Sequence, residues 1–352
     1  MRIPAALRSA LAIVAAIVGA GFASGREVMT FFSEMGAASW LGVGVACALV
    51  GGITAMLAQL GARTEAKSFP GLFGALMGQA CEDAMHMSHG LLMAILASVM
   101  LAAGGELGAL TLPVGGARYI GMGFTLACGL WAARGGMLAR LGGAVFPLIL
   151  AFFAALAADG RPVDASVYAQ RAYEIQASAP LALLLGAVYA ALNLSLAGGV
   201  VLLNRAEPKK VGLYTALLLA ALLIPANAAL LRHREELQFV AMPSVILAAR
   251  WGTAGFYLCA LCMELAVVST MAASIASLRA QLAGVRSGGW ALAGILALSA
   301  LFALSGFDFL VRSLYPLLGW LCAMALLALT AFVDWPKRVK FLREARHKVA
   351  GG

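Results

Sequence analysis

The sequence predicts an all-α integral membrane protein of about ten transmembrane helices. Of its 352 residues, 62% are hydrophobic and 12% are charged, and the mean hydropathy is +0.93. The apolar residues form continuous runs of membrane-spanning length, whereas a transmembrane β-barrel would show short segments of alternating polarity. The net charge of +9 is explained by membrane orientation, so we expect no nucleic-acid partner.

Ten apolar runs are assigned as spans in chain order. They cover residues 7–32, 40–60, 89–110, 119–133, 141–156, 181–203, 211–231, 253–276, 291–304 and 309–333. The first is not read as a cleavable signal peptide, because its apolar stretch continues past an ordinary signal core and many spans follow.

The positions of Lys and Arg predict the orientation of these spans. Of the 25 basic residues, 17 fall on the side of the amino terminus, so both termini are predicted to be cytoplasmic, in a bacterial inner membrane. The basic tail 336–352 is expected to act as a cytoplasmic topology anchor. The chain is treated as a single membrane domain, residues 1–352.

Five spans on each side of a polar loop enter the membrane from opposite faces, which predicts an inverted repeat. The first repeat would cover 1–158, the external loop 159–179 and the second repeat 180–335.

The most informative segment is 17–27, IVGAGFASGRE, where three glycines interrupt the first span before two adjacent charges. Unwound backbone at membrane depth persists only where it is buried in protein or lines a polar cavity. We therefore predict a broken helix with substrate-binding residues Gly19, Ala20, Gly21, Phe22, Ala23, Ser24 and Gly25. The alternative is a packing face of small residues, since Gly21 and Gly25 are four apart.

The sixth span, at the corresponding position of the second half, carries polar residues and a glycine pair near its middle. It reads GAVYAALNLSLAGGVVLLNR, and it predicts a second broken helix with binding residues Tyr189, Asn193, Ser195 and Gly198.

In the first span, the free N–H groups of the outer half-helix near Gly25 would suit a substrate carboxylate. Carbonyl groups near Val18, at the end of the inner half-helix, would suit Na⁺.

These residues resemble a known family. GAGFASGRE is similar to the GAGFASGxE signature of the YkvI-type bacterial membrane proteins, and the plan of five plus five spans with two breaks resembles the amino acid–polyamine–organocation transporters of the LeuT fold. NLSLAGG resembles the TLSLGFG break of sodium-coupled neurotransmitter symporters. The resemblance implies a LeuT-like fold with helices 1 and 6 broken, and transport by alternating access.

Span eight supplies a predicted ion site. Ala266, Ser269 and Thr270 share one helix face, an arrangement similar to the sodium site of LeuT-fold symporters. Carrying the resemblance over by position adds the carbonyl groups of Ala15 and Val18. The alternative is that the two hydroxyl groups bond back to the preceding helical turn.

Three charged residues are predicted to act in coupling or gating. Glu264 lies in mid-span and would carry a proton, pair with Arg26 or bind a cationic amine of the substrate. Arg26 and Glu27 are predicted gate or cavity residues on the outer side. Asp308 and Arg312 are expected to snorkel from the ends of their span.

The segment 237–250 is too short to span and resembles the outer hairpin that covers the cavity in LeuT-fold proteins, with Pro243 as its corner; a surface helix is the alternative. Asp83, His86 and His89 have spacings suited to a divalent metal but lie at the cytoplasmic end of span three. The breaks of metal-transporting relatives, DPGN and Met-Pro-His, do not occur in this sequence.

We therefore expect a secondary transporter of a small amino-acid-like solute, by Na⁺ symport, with no cofactor beyond that coupling ion. The alternatives are H⁺ coupling through Glu264 and divalent-metal transport. An intramembrane enzyme is not favoured, since HExxH and GxSxG motifs do not occur in this sequence. The expected partners are the solute and the lipid bilayer, with the protein a monomer or weak oligomer.

Overall fold

The computed structural model describes residues 4–134, 137–159, 178–204 and 207–332, with side chains described except at 137–145 and 331–332. Most of the predicted external loop, residues 160–177, and the basic tail 336–352 lie outside these residues. Within them the regular secondary structure is helical.

The described residues of the first half form eight α-helices. They are α1 (Ala5–Ile17), α2 (Ala20–Ala23), α3 (Arg26–Phe31), then, after a 3₁₀ segment (Ser33–Ala38), α4 (Ser39–Thr64), α5 (Phe69–Met77), α6 (Gln79–Thr111), α7 (Ala117–Ala132) and α8 (Met137–Ala158). The second half continues with α9 (Ala179–Leu203), α10 (Pro208–Leu231), α11 (Arg234–Leu237), α12 (Pro243–Ala249), α13 (Gly252–Gln281), α14 (Gly288–Ala303), α15 (Phe307–Phe309), a π-helical turn (Leu310–Leu314) and α16 (Tyr315–Phe332).

The helices coincide with the predicted spans, which confirms a multi-pass membrane protein. In the described part of the chain, six helical stretches are long and apolar enough to cross a membrane by length and composition. Three shorter apolar helices, Ala5–Ile17, Phe146–Ala158 and Gly288–Ala303, fall on predicted spans one, five and nine. The short α7 covers span four.

The two halves place their short helices at corresponding points. In the first half α5 lies between the second and third spans, and in the second half α11 and α12 lie between the seventh and eighth. Across the halves, α4 packs along α9 and α10, while α6 packs against α13 and α14. The repeat boundaries 1–158 and 180–335 stay a prediction.

Glycines allow the long helices to approach closely where they cross. A Cβ atom built on Gly42 would lie 2.7 Å from the carbonyl oxygen of Ala182 on α9. On α6, one built on Gly108 would lie 2.5 Å from the carbonyl oxygen of Ala117 on α7. Small residues at such crossings are typical of membrane helices, which associate mainly by close packing.

A buried polar chain fixes the segment that joins the first two spans. The Ser33 hydroxyl donates to Asn227 Oδ1 of α10 at 2.9 Å, and Asn227 Nδ2 donates to the Ser39 hydroxyl at 3.0 Å. All three residues are buried, so these hydrogen bonds satisfy groups that would otherwise be costly in the bundle. The end of the first span is thereby held against α10.

Candidate functional site

The first span is interrupted twice, which confirms a broken first helix. After α1, Val18 (φ −80°, ψ 93°) and Gly19 (φ −104°, ψ −167°) are extended. A single turn, α2, follows, and Gly25 then takes a left-handed conformation with φ +78° before α3 begins. Only glycine adopts that conformation readily, which explains why Gly25 stands there.

The backbone groups freed by these interruptions find partners inside the protein. The Ser24 hydroxyl donates to the Gly21 carbonyl at 2.8 Å and accepts from the Arg26 N–H at 3.1 Å. The Ser24 carbonyl accepts from the N–H of Ser244, which belongs to α12, at 2.9 Å. Every residue from 20 to 33 is buried, so the break is enclosed by protein, as unwound backbone in a membrane requires.

The segment predicted to form a covering hairpin, 237–250, lies directly on the break. Pro243 opens α12, and a Cβ atom built on Gly25 would lie 2.7 Å from Ser244 Oγ. At the base of the hairpin, Arg250 Nη1 lies 3.3 Å from His233 Nε2. Burial, and then the positive charge of Arg250, lower the pKa of His233.

Arg26 is fully buried at the centre of a charge cluster that closes the face opposite the amino terminus. It lies 3.0 Å from Glu34 and 2.8 Å from Asp308, and its Nη1 donates to the Gln238 carbonyl at 2.7 Å. Arg312 lies 3.7 Å from the same Glu34 oxygen and 3.8 Å from Asp308, and also donates to the Gln238 carbonyl.

This charge cluster, Arg26, Glu34, Asp308 and Arg312, ties the first span to the hairpin and the last span. The prediction that Asp308 and Arg312 snorkel to water is therefore wrong. The π-helical turn at Leu310–Leu314 lies beside α3, so both side chains join the charge cluster. Of the three alternatives for Glu264, pairing with Arg26 is wrong, because Arg26 pairs with Glu34 and Asp308.

Glu27 points the other way, into the middle of the break. Its side chain is 3% exposed, and its Oε1 accepts from Asn193 Nδ2 of α9 at 3.3 Å. A Cβ atom built on Gly21 would lie 2.5 Å from Glu27 Oε2 and 3.2 Å from the ring of Tyr315. Glu27 thus links the broken segment to α9, and Tyr315 of α16 lies against the same glycine.

Tyr189 of α9 lies on the same side of the broken segment as Asn193. Its ring packs edge-on against Phe31 at 5.5 Å and Phe32 at 4.9 Å between centroids. Phe22 of α2 packs against Phe153 of α8 at 5.5 Å. The structure therefore brings Tyr189 and Asn193 to the broken segment, as the sequence predicted.

One predicted ion-site residue, Thr270, lies at the first interruption. The Thr270 hydroxyl of α13 would lie 3.1 Å from a Cβ atom built on Gly19. It also donates to the Ala266 carbonyl at 3.0 Å, so the back-bonded geometry is present. Because α1 ends at Ile17, its last carbonyl groups, from Ala15 onward, lie next to the interruption. Ser269 is half-buried beside Thr270.

The predicted break in the sixth span is wrong, because α9 is one continuous helix from Ala179 to Leu203. Gly198 is a packing residue, since a Cβ atom there would lie 2.6 Å from the Phe69 ring of α5. Ser195 lies away from Glu27, beside Cys322, on the wall of an apolar cavity of about 200 Å³ that Phe69 and His89 also line. Gly198 therefore serves packing, as does Gly186 of the same helix, where a Cβ atom would clash with the carbonyl oxygen of Gly42.

Glu264 is also placed differently from the prediction. It accepts from the Thr125 hydroxyl of α7 at 2.8 Å and lines a cavity of about 360 Å³ between α6, α7 and α13. The face of α13 that meets the broken segment carries Thr270 and not Glu264. The acidic group of the break is Glu27, which was predicted to be a gate or cavity residue.

The candidate metal stripe does not converge. Asp83 accepts from Gln79 at 2.9 Å, His86 lies 3.8 Å from Glu82, and His89 contacts Ser277 at 3.4 Å. Among the residues that the structure describes, no three His, Cys, Asp or Glu side chains come together as a metal site.

Comparison with known proteins identifies the fold. No protein-family model matches the chain, and no curated protein matches it. The chain is similar to MhsT in a crystal structure with L-phenylalanine, with a TM-score of 0.62 and 15% identity, covering 90% of this chain and 87% of MhsT. A manganese transporter from Eremococcus coleocola aligns with a TM-score of 0.39 and 15% identity over 96% of this chain and 73% of that one. The chain thus has the LeuT fold, which MhsT shares.

Proposed function

We propose that this protein is a secondary transporter of a small amino-acid-like solute that works by alternating access and is coupled to Na⁺. The observation that carries the proposal is the doubly interrupted first span, buried in the bundle against Tyr189, Asn193 and Thr270. Broken helices at the bilayer midplane form the substrate and ion sites of secondary transporters. MhsT, which shares the fold, is known in complex with L-phenylalanine, which supports an amino-acid-like cargo.

Sodium coupling is proposed through the first interruption. The carbonyl groups of Ala15, Val18 and Ala266 and the hydroxyl groups of Ser269 and Thr270 would provide hard oxygen ligands. The contact between Thr270 and Gly19 supports this assignment, because it joins the two helices that would share the ion.

Alternating access is proposed to open the closed face. The charge cluster around Arg26 and the α11–α12 hairpin would separate from the first span, while the face that holds the amino terminus closes. We place the closed face outside and both termini in the cytoplasm of a bacterial inner membrane, following the distribution of basic residues. We also propose that the chain belongs to the YkvI-type membrane proteins.

Proteoliposome uptake tests the function and its coupling. The purified protein, as a monomer or weak oligomer, should accumulate a labelled solute from a panel of amino acids and amines when an inward Na⁺ gradient is imposed. Thr270→Ala and Ser269→Ala should raise the Na⁺ concentration for half-maximal uptake about tenfold, a loss of about 1.4 kcal/mol in ion binding. Ser274→Ala is the matched control, since its hydroxyl donates to the Thr270 carbonyl one turn further along α13.

Each other outcome is informative. Unchanged Na⁺ dependence in both variants would contradict the sodium site. Uptake driven by a proton gradient without Na⁺, and lost in Glu264→Gln, would replace Na⁺ coupling by the proton alternative. No uptake or counterflow of any solute by the wild type would reject transport.

A further inference from the structure

Glu27 presents a physical problem that the proposed function leaves open. Its carboxyl group is buried inside the membrane bundle, and in the part of the chain that the structure describes no basic side chain pairs with it. The neighbouring guanidinium of Arg26 is turned toward Glu34 and Asp308. A buried carboxylate is costly unless it is paired or protonated, so Glu27 requires either a cation or a proton.

The surroundings of Glu27 favour a cation. Its carboxyl group lies over Gly21, within the broken segment, and Tyr315 lies against the same glycine. The Tyr189 hydroxyl is buried and has no hydrogen-bond partner among the described residues, while its ring stacks edge-on with Phe31 and Phe32. Carboxylate and aromatic rings together are the groups that recognise organic ammonium ions.

Glu264 differs in each of these respects. It accepts a hydrogen bond from Thr125 and is only partly buried, in a cavity that the first span does not line. Among the residues that the structure describes, Glu27 and Glu264 are both mid-span carboxylates, and of these two only Glu27 lies at the broken segment. This difference makes Glu264 a matched control for Glu27.

We propose that the Glu27 carboxylate binds the cationic nitrogen of the transported solute. The inference rests on the proposed function and narrows its substrate class to primary amines and amino acids that carry a free ammonium group. A solute with a carboxylate alone would place two like charges in one buried site and would be rejected. Asn193 holds the Glu27 side chain in position from α9.

The experiment compares solutes that differ only in their charged groups. Wild type, Glu27→Gln, Glu27→Asp and Glu264→Gln are purified as full chains, and thermal stabilisation and counterflow are measured with L-phenylalanine, 2-phenylethylamine and 3-phenylpropionate. For any other amino acid that the wild type transports, its own decarboxylated and deaminated analogues are used. The glutamine side chain at position 27 still accepts the hydrogen bond from Asn193, so this variant is expected to fold.

The expected result is that the wild type binds the two ammonium compounds and not the carboxylate-only analogue. Glu27→Gln should lose about tenfold or more in affinity for both ammonium compounds, Glu27→Asp should lose less, and Glu264→Gln should match the wild type. Equal affinity of Glu27→Gln and wild type overturns the inference. It is also overturned if Glu27→Gln still binds amines but no longer moves protons, since Glu27 would then be a proton carrier.

Failure of the inference can be told apart from failure of the proposed function. If the wild type transports a solute and Glu27→Gln transports it equally well, transport stands and the assignment of Glu27 falls. If the wild type neither binds nor moves any member of the panel, the proposed function falls and the assignment of Glu27 falls with it.

Discussion

The first and sixth spans share a pattern of glycines near mid-span but differ in structure. Both place glycines beside small and polar residues near the middle of an apolar segment. The first is divided into α1, α2 and α3, whereas the sixth is the continuous helix α9 of 25 residues. A glycine pattern alone therefore does not determine whether a membrane helix breaks.

The difference lies in what the surrounding protein offers to the backbone. At the first span, the Ser24 carbonyl is taken up by the Ser244 N–H and the left-handed Gly25 fits beneath α12. At α9 the backbone remains helical, and Asn193 Nδ2 donates both to the Tyr189 carbonyl one turn earlier and to Glu27. Gly198 packs against Phe69, and a Cβ atom on Gly199 would meet open space.

Freed backbone groups are tolerated at membrane depth only where partners exist. The α11–α12 hairpin and the charge cluster supply those partners to the first span. In this protein the break is thus a property of the assembled bundle as much as of the glycines. Substitutions that remove the partners, or that restrict the glycines, separate the two contributions.

The largest effect is expected from removing the charge that anchors α3. Arg26→Ala would leave Glu34 and Asp308 without their buried partner and should lower the free energy of unfolding by about 3–5 kcal/mol. Denaturant titration of the detergent-purified protein measures the change. Transport should be lost as well, because the face opposite the amino terminus would no longer close.

Arg118→Ala is the control for this prediction. Arg118 pairs with Glu106 at 2.9 Å but is 45% exposed, so its loss should cost no more than about 1 kcal/mol. Equal losses in the two variants would mean that the charge cluster does not hold the break closed.

A smaller loss of stability is expected from restricting the backbone conformation of Gly25 at the second interruption. Gly25→Ala forces an alanine into φ +78° and places its Cβ atom 2.7 Å from Ser244 Oγ and 3.1 Å from Leu230. The left-handed conformation should lower the free energy of unfolding by about 1–2 kcal/mol, and overpacking should lower it by a further ~1–3 kcal/mol. Thermal and denaturant unfolding should both report this loss.

Gly116→Ala measures the cost of the left-handed conformation without overpacking. Gly116 has nearly the same φ, +79°, but a Cβ atom there would meet nothing within 4 Å. Its cost should be that of the backbone conformation alone. If Gly25→Ala costs no more than Gly116→Ala, the hairpin does not pack tightly on the break.

Much of the fold could be predicted from the sequence, because hydropathy is a local property. All ten spans and the broken first helix follow from apolar length and from glycines next to charges. The contact of Tyr189 and Asn193 with the broken segment was also predictable, since both lie at the depth of the break. The covering position of segment 237–250 followed from the resemblance.

The errors concern which side of a helix meets which neighbour. Glu264 was assigned to the site by its depth, but depth does not fix the face, and the face of Glu264 meets Thr125. Asp308 lies far from Arg26 in sequence, so their ion pair carries no local signal. The continuity of α9 depends on tertiary contacts such as Phe69 with Gly198, which a glycine pattern does not encode.

The smallest effects test whether α9 is a permanent helix. Gly198→Ala should cost about 1–3 kcal/mol, because its Cβ atom meets the Phe69 ring, and Phe69→Leu in the same chain should recover part of the loss. Gly199→Ala should be neutral or stabilise by up to about 1 kcal/mol, since alanine favours the helix and space is open. Denaturant titration of both single variants and the double variant measures these differences.

The two glycines of α9 are adjacent, so any unwinding at that depth would involve both of them. If Gly199→Ala slows uptake as strongly as Gly25→Ala does while leaving the free energy of unfolding unchanged, α9 must open during the transport cycle, and the contrast between the two spans would hold only for the closed state. If uptake by Gly199→Ala equals that of the wild type, a single broken helix is sufficient for transport. In that case the second half contributes an intact wall, through Tyr189 and Asn193, against which the first span moves.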